Sequence, residues 1–154
     1  MGRLDGKICL ITGAARGQGA EEAKLFIREG GVVWMVDVLD EPGETLALEL
    51  GATYRHMDVT SEAAWQSVVA EISQTAGSLQ VLVNNAGVFP LNRMVTTSVE
   101  EFHRTMDINA LGVFLGMKSC APALIESGKG SIINISSVAG MRASVGSFAY
   151  GASK

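Results

Sequence analysis

The sequence predicts a doubly wound α/β domain built on a parallel sheet. Three observations point there. Short runs rich in β-branched and aliphatic residues alternate with helical patterns along the chain. These runs are continuously apolar, as in strands covered on both faces. A glycine-studded loop joins the first run to the first helix, where the backbone must turn tightly. With 154 residues, 47% of them hydrophobic, the chain can bury a real core.

The first strand is the run Lys7 to Thr12. The first helix spans about Ala20 to Glu29, and Gly30-Gly31 ends it. Val32 to Val36 forms a second strand that stops at Asp37. Glu41 to Leu50 is a second helix, with Pro42 accommodated in its first turn and Gly51 closing it. A weaker third strand covers Ala52 to Met57. Ser61 caps the next helix, its hydroxyl accepting from free first-turn amides. Leu79 to Val83 and Ser131 to Ile135 are strands four and five, separated by a helical stretch from about Val99 to Ser127. The middle of that stretch, Asn109 to Met117, is apolar on nearly every face, so burial on both sides is expected. A last helix begins around Ser147.

Composition narrows the function. A charged share of 18% and a mean hydropathy of +0.26 exclude a disordered chain. The formal net charge of -4 argues against a nucleic-acid partner, which calls for a basic stripe. Eighteen glycines without a collagen-like period point to close backbone approaches, to a ligand or between elements. Cys9 and Cys120 lie far apart without a CxxC partner and read as small core residues. The apolar run near the N-terminus, Ile8 to Ile11, is too short for a signal-peptide core. No uninterrupted apolar stretch approaches the roughly 18 residues of a membrane span. Gly6 stands where a myristoylation site needs Ser or Thr. A soluble cytoplasmic protein is expected, without a membrane partner. His56 and His103 lack partners at ligand spacing, so no metal is expected, and Trp34 and Trp65 read as core.

The loop Thr12-Gly13-Ala14-Ala15-Arg16-Gly17-Gln18-Gly19 has the spacing GxxxGxG. Glycines there let the backbone approach a pyrophosphate at a helix N-terminus. No Lys-Ser/Thr pair follows, which disfavours a P-loop. A merely tight turn is the competing reading. Asp37 strengthens the ligand reading, because an acid about 20 residues on, at the end of strand two, can hydrogen-bond an adenosine ribose. Its carboxylate would repel a 2′-phosphate, so NAD is expected rather than NADP. Arg16 points the other way, and an ordinary turn acid is the alternative for Asp37.

Four further segments complete a pattern. Asn84-Asn85-Ala86-Gly87 follows strand four, Asn109 lies in the long helix, Ser137 follows strand five, and Tyr150-Gly151-Ala152-Ser153-Lys154 closes the sequence. In this order, and with the glycine loop, they resemble the short-chain dehydrogenase/reductase family from near residue 6 to the last residue. The run Asp37 to Glu41 and the Tyr-Gly-Ala-Ser-Lys segment are most similar to bacterial NAD-dependent hydroxysteroid dehydrogenases of the 3α/20β type.

The resemblance implies a Rossmann-type sheet with strand order 3-2-1-4-5. Residues 1–154 would then be the NAD-binding domain carrying the catalytic residues, truncated before strands six and seven and lacking the C-terminal substrate-binding part. A family member would continue for roughly another hundred residues. On that expectation strand five is an uncovered edge, Lys154 is frayed, and the 154-residue chain alone aggregates or binds NAD weakly. The longer enzyme is expected to be a homo-oligomer, a dimer or homotetramer.

Tyr150 and Lys154 are four apart, so on a helix they share a face. An ammonium beside a phenol favours the phenolate, which suits a general acid/base exchanging a proton with an alcohol. Ser137 can hold the substrate oxygen against Tyr150, with Ser136 as its competitor. By resemblance, Lys154 also bonds the nicotinamide ribose, and Asn109 holds a water for a proton relay; its alternative is a simple helix kink. The same analogy puts Asn85, Ala86 and Gly87 on the adenosine and ribose side and Asp58 and Val59 beside the adenine. Asn84 and Asn85 have a second reading as local caps of the strand end.

The expected cofactor contacts are therefore Gly13, Arg16, Gly17, Gln18, Gly19, Asp37, Val38, Asp58, Val59, Asn85, Ala86, Gly87, Tyr150 and Lys154. Gln18 departs from the family, which carries an aliphatic residue there. Val88, Phe89, Leu91, Met94, Val138, Met141 and Val145 suggest an apolar near wall for a bulky alcohol. The function expected is hydride transfer between NAD(H) and a secondary alcohol or ketone, a hydroxysteroid or another bulky apolar alcohol. The other reading is a truncated, non-catalytic NAD-binding fragment.

Overall fold

The computed structural model describes residues 2–142 and 146–154. Strand β1 (Ile8–Thr12) is central, flanked by β2 (Val32–Asp37) and β4 (Val81–Asn84). Outside these lie β3 (Thr53–His56) and β5 (Ser131–Asn134). Every pairing is parallel and the order is β3-β2-β1-β4-β5, as the sequence led us to expect. The helices are α1 (Gly17–Arg28), α2 (Asp40–Leu50), α3 (Glu62–Ala76), α4 (Val99–Met106), α5 (Gly112–Glu126) and α6 (Phe148–Ser153).

Two layers of side chains explain the continuously apolar strands. Leu10, Trp34, Val36 and Leu82 face α3 and α5, where Trp65, Val68, Ile72, Leu115, Cys120 and Leu124 meet them. Their neighbours Cys9, Ile11, Val33, Met35, Val81 and Val83 point the other way and pack with Ala23 of α1 and Ala47 of α2. Alternate side chains of a strand take opposite faces, so a sheet covered on both sides needs apolar residues at every position. Fully burying one such side chain contributes about 1.5–3 kcal/mol. Cys9 and Cys120 are buried free thiols, and Trp34 and Trp65 lie in the core. Burial pushes the thiols up, Cys9 to about 11 and Cys120 to about 12. His56 and His103 are exposed.

Local signals behave as their chemistry requires. Ser61 accepts from Ala64 N–H at 3.3 Å at the start of α3, and Gly51 closes α2 with φ +68°. Helix α1 begins at Gly17, three residues before the expected start. The glycines there suggested loop, yet Gly19 is a buried helical residue, because any side chain would overlap the Gly13 carbonyl and Asn85.

Helix α4 continues into α5 through a π turn, Asp107–Leu111. The inner face of α5 is buried, but Leu111 is 40% and Phe114 52% exposed. Burial on both sides is thus not found: among the described residues nothing covers the outer face. By length and composition the run Val99–Glu126 is apolar enough to cross a membrane, with a mean hydropathy of 1.5 in its best window. Part of that apolar character has a packing origin. Gly112 lies against Val59, and Gly116 lies against Trp65 and Asn84. Strand β5 is the edge of the sheet, with Ile132 and Ile133 exposed.

Candidate active site

The glycine loop is bolted to the end of β4. Thr12 is buried, and its Oγ1 accepts from the N–H groups of Asn85 and Ala86, both at 3.0 Å, and donates to the Val83 carbonyl at 3.3 Å. Asn85 returns the tie, its Nδ2 donating to the carbonyls of Thr12 at 2.9 Å and Gly13 at 3.2 Å. These are bonds between neighbouring strand ends, so the reading of Asn85 as a local cap is not what the fold uses. Asn84 likewise reaches across, donating to Asn134 Oδ1 at 2.8 Å.

Above this anchor, α1 starts with neither a capping side chain nor an acid in its first turn. Its first amides are left for an outside acceptor, and the helix dipole favours a negative one. Gly17 adopts φ +59° with nothing near its Cβ position, so the backbone itself faces open space. This arrangement fits the pyrophosphate of a dinucleotide. Across the loop, Asp37 Oδ2 accepts from Ala15 N–H at 3.0 Å, and Oδ1 accepts from Val38 at 2.8 Å and Leu39 at 3.1 Å. A carboxylate offers about four acceptor positions, and three are taken. One place remains on Oδ2, suited to a ribose hydroxyl.

At the other end, α6 carries Tyr150 and leads into Lys154, whose Nζ lies 5.6 Å from the Tyr150 ring centroid. The Lys154 ammonium donates to the Ile135 carbonyl at 2.9 Å, and burial holds its pKa below the ordinary lysine value. Ser137 Oγ accepts from Ala139 N–H at 3.1 Å and starts the 3₁₀ turn Val138–Gly140. Ser136 instead donates to the Lys154 carbonyl at 3.2 Å. Asn109 sits buried in the π turn. Its Oδ1 accepts from Val88 N–H at 2.8 Å, while Nδ2 donates to the Val88 carbonyl at 3.0 Å and to Ser153 Oγ at 2.9 Å. It ties the loop after β4 to α6. A methyl group at Gly87 would lie 3.3 Å from Asn109 Oδ1 and 3.6 Å from Lys154 Nζ, so all three converge.

One cavity of about 600 Å³ gathers Gly13, Arg16, Gly17, Gln18, Asp37, Val38, Asp58, Val59, Asn85, Ala86 and Gly87. Gly19 is buried beneath the loop and does not line it, while Tyr150 and Lys154 stand beyond the Gly87 end. Gln18 donates to Glu22 Oε1 at 2.8 Å. Leu39, Met57, Arg104 and Ile108 also line the cavity and were not foreseen, and Val88, expected in the apolar wall, lines it too. Met57 and Leu39 flank Asp58 and Asp37 in sequence, which was a usable signal. Arg104 and Ile108 share a face of the α4 run, and that face is legible only once the rotation of the helix is known.

The expected apolar wall divides. Met94 and Met141 line a separate recess of about 540 Å³ with Arg93, Arg142 and Phe148. Phe89 stands edge-on to Tyr150 at 4.5 Å, Val88 turns into the first cavity, and Leu91 and Val138 are exposed. Val145 lies outside the described residues.

Residues 7–154 match the short chain dehydrogenase family. Among characterised proteins, the chain is similar to a 3-alpha-(or 20-beta)-hydroxysteroid dehydrogenase of Mycobacterium tuberculosis (strain ATCC 25618 / H37Rv). The two are 42% identical over 99% of this chain and 60% of that protein. A trans-4-hydroxycyclohexanecarboxylate dehydrogenase of Sinomonas cyclohexanicum is 39% identical over 99% of this chain and 62% of its own length. A cyclopentanol dehydrogenase of Comamonas testosteroni is 38% identical over 100% and 64%. The chain therefore spans about 60% of the length of these relatives.

Proposed function

Because the chain belongs to the short-chain dehydrogenase family, we propose that it is the cofactor-binding and catalytic part of an NAD(H)-dependent oxidoreductase interconverting secondary alcohols and ketones. One observation carries the reading. The cavity lined by the α1 loop and Asp37 ends at Gly87, and Gly87 adjoins Asn109 and Lys154. A dinucleotide lying from Asp37 towards Gly87 brings its far end beside Tyr150.

The bare start of α1 holds the pyrophosphate, and Asp37 holds the adenosine ribose and rejects a 2′-phosphate. Met57, Val59 and Ile108 offer apolar surface at the adenine end, where Asp58 adds a polar edge. Bound nicotinamide supplies or accepts the hydride. The chain's own residues manage the substrate oxygen: Ser137 donates to it, and Tyr150 passes a proton to it or takes one away. Lys154 sets the field around the phenol and reaches the nicotinamide ribose, and Asn109 holds the loop and α6 in register around both. Names of the relatives point to cyclic secondary alcohols as the substrate class, with hydroxysteroids among them.

The test follows NADH absorbance with cyclic ketones of rising size, cyclopentanone through steroid ketones, and repeats it with NADPH. Oxidation of NADH by at least one ketone, at rates well above those with NADPH, is expected. Asp37→Ala should narrow the NADH over NADPH preference by about tenfold or more, since one charge-assisted hydrogen bond and one repulsion are lost together. Binding of NADH without turnover of any ketone would favour a nucleotide-binding role instead.

A further inference from the structure

The end of β2 is tied to α2 and β3 by contacts that the proposed reaction does not itself use. Tyr54 of β3 is buried, and its hydroxyl lies 2.9 Å from the Asp37 carbonyl oxygen and 3.0 Å from Asp40 Oδ1. Its ring fills the space a side chain on Gly43 of α2 would need. His56, two residues on and on the same strand face, brings Nδ1 to 2.8 Å from the same Asp40 oxygen. Neither Tyr54, Asp40 nor His56 lines the dinucleotide cavity.

A phenol has one proton, and here two acceptors compete for it. A bare nitrogen lone pair facing the Asp40 carboxylate would be repelled, so the hydrogen-bond network assigns the His56 hydrogen to Nδ1. Asp40 Oδ1 has room for both donors, so the Tyr54 hydroxyl bridges the Asp40 carboxylate and the Asp37 carbonyl while His56 steadies Asp40. Burial, then the Asp40 hydrogen bond and nearby acids, push the Tyr54 phenol up, so it remains a donor.

We propose, resting on the reading of Asp37 as the ribose ligand, that Tyr54 is a positioning residue for Asp37 and that His56, by holding Asp40, keeps the Tyr54 hydroxyl in place against the Asp37 carbonyl. The trio fixes the turn whose amides hold the Asp37 carboxylate. It thereby sets the affinity for NAD(H) and the discrimination against NADP(H) without touching cofactor or substrate.

Three variants of the full chain test this: Tyr54→Phe, His56→Leu, and His56→Asn, whose amide nitrogen takes the place of Nδ1. For each, the dissociation constant, KM and kcat are measured with NADH and NADPH, together with the thermal midpoint. Tyr54→Phe should raise the NADH dissociation constant and KM by about five- to tenfold, the range one lost hydrogen bond allows, and narrow the cofactor preference similarly. Its kcat at saturating NADH should stay within about twofold, since no group at the reacting atoms changes. His56→Leu should shift the same quantities less, and His56→Asn should restore them. A merely structural Tyr54 would lower the thermal midpoint and leave affinity and preference unchanged, which overturns the proposal. Identical behaviour of the two His56 variants overturns the part assigned to His56. Should Tyr54→Phe not fold, the exposed His56 pair decides the outcome. A wild-type protein that fails to bind NADH, or prefers NADPH, overturns the ribose reading of Asp37 first and this inference with it.

Discussion

Tyr150 holds its ring against Phe89, and among the described residues its hydroxyl has no hydrogen-bond partner. Removing that oxygen takes away a proton donor and almost no contact area. Tyr150→Phe should therefore cut turnover by about 10²–10⁴, the usual worth of a positioned acid or base. NADH affinity, read by fluorescence titration, should stay within about twofold. The two cysteines offer a contrasting residue-scale test. Both thiols are buried and pushed up, to about 11 and about 12, so neither is a nucleophile at neutral pH. Native protein at pH 8 should react slowly with a thiol reagent, and denatured protein should titrate two thiols quickly. The folded state keeps these protons where the unfolded chain, near its ordinary value of 9.0, loses them. Stability from this source is complete below that pH and is lost as pH rises through the folded values. Denaturation midpoints at pH 8 and pH 10 should differ in that direction.

At the scale of elements, the joint between α4 and α5 shows where sequence reading stops. Strands β1, β2 and β4 were legible because they are apolar at nearly every position. The edge strands β3 and β5 were weaker signals because they carry polar residues such as Arg55, His56 and Ser131. Ser61 and Gly51 were legible because their chemistry is local. The π turn at Asp107–Leu111 is not local. It accompanies the bonds of Asn109 to Val88 and Ser153, partners that no periodicity connects. Without that turn the helical face carrying Arg104 and Ile108 cannot be assigned, so the lining of the cavity near Asp58 was only half foreseen. The start of α1 was misjudged for a related reason: glycine counts as a poor helix former until the contacts that forbid a side chain are known. The same close packing yields a stability prediction. A Cβ on Gly116 of α5 would overlap Asn84 and the Trp65 ring, both buried. Gly116→Ala should cost about 1–3 kcal/mol by overpacking, measured by urea denaturation. Gly128→Ala is the control: φ is +66° with open space around it, and only the backbone cost of about 1 kcal/mol applies.

For the whole molecule, the two faces of the sheet are unequal in cover and the two edges unequal in character. On the α5 side, Leu111 and Phe114 are exposed, and β5 presents Ile132 and Ile133 along an edge. Exposed apolar edges template further pairing. A polypeptide of residues 1–154 expressed by itself should scatter light increasingly with concentration. Ile132→Lys should reduce that scattering, because a charge on an edge strand opposes pairing. The opposite edge, β3, carries Arg55 over Trp34 and paired with Glu71, a polar finish that needs no partner strand.

The strand order also sets a timetable. Central β1 acquires β2 within one helical crossover, but its other neighbour, β4, lies roughly 70 residues further along. At ribosomal speeds that separation is several seconds, during which the flank of β1 that will meet Val81 to Val83 has nothing to bond. The half of the sheet that would hold the adenosine ribose is thus finished early. The half that would bear the reacting groups must be added to an open seam, and that seam is the point at which a chaperone has most to protect.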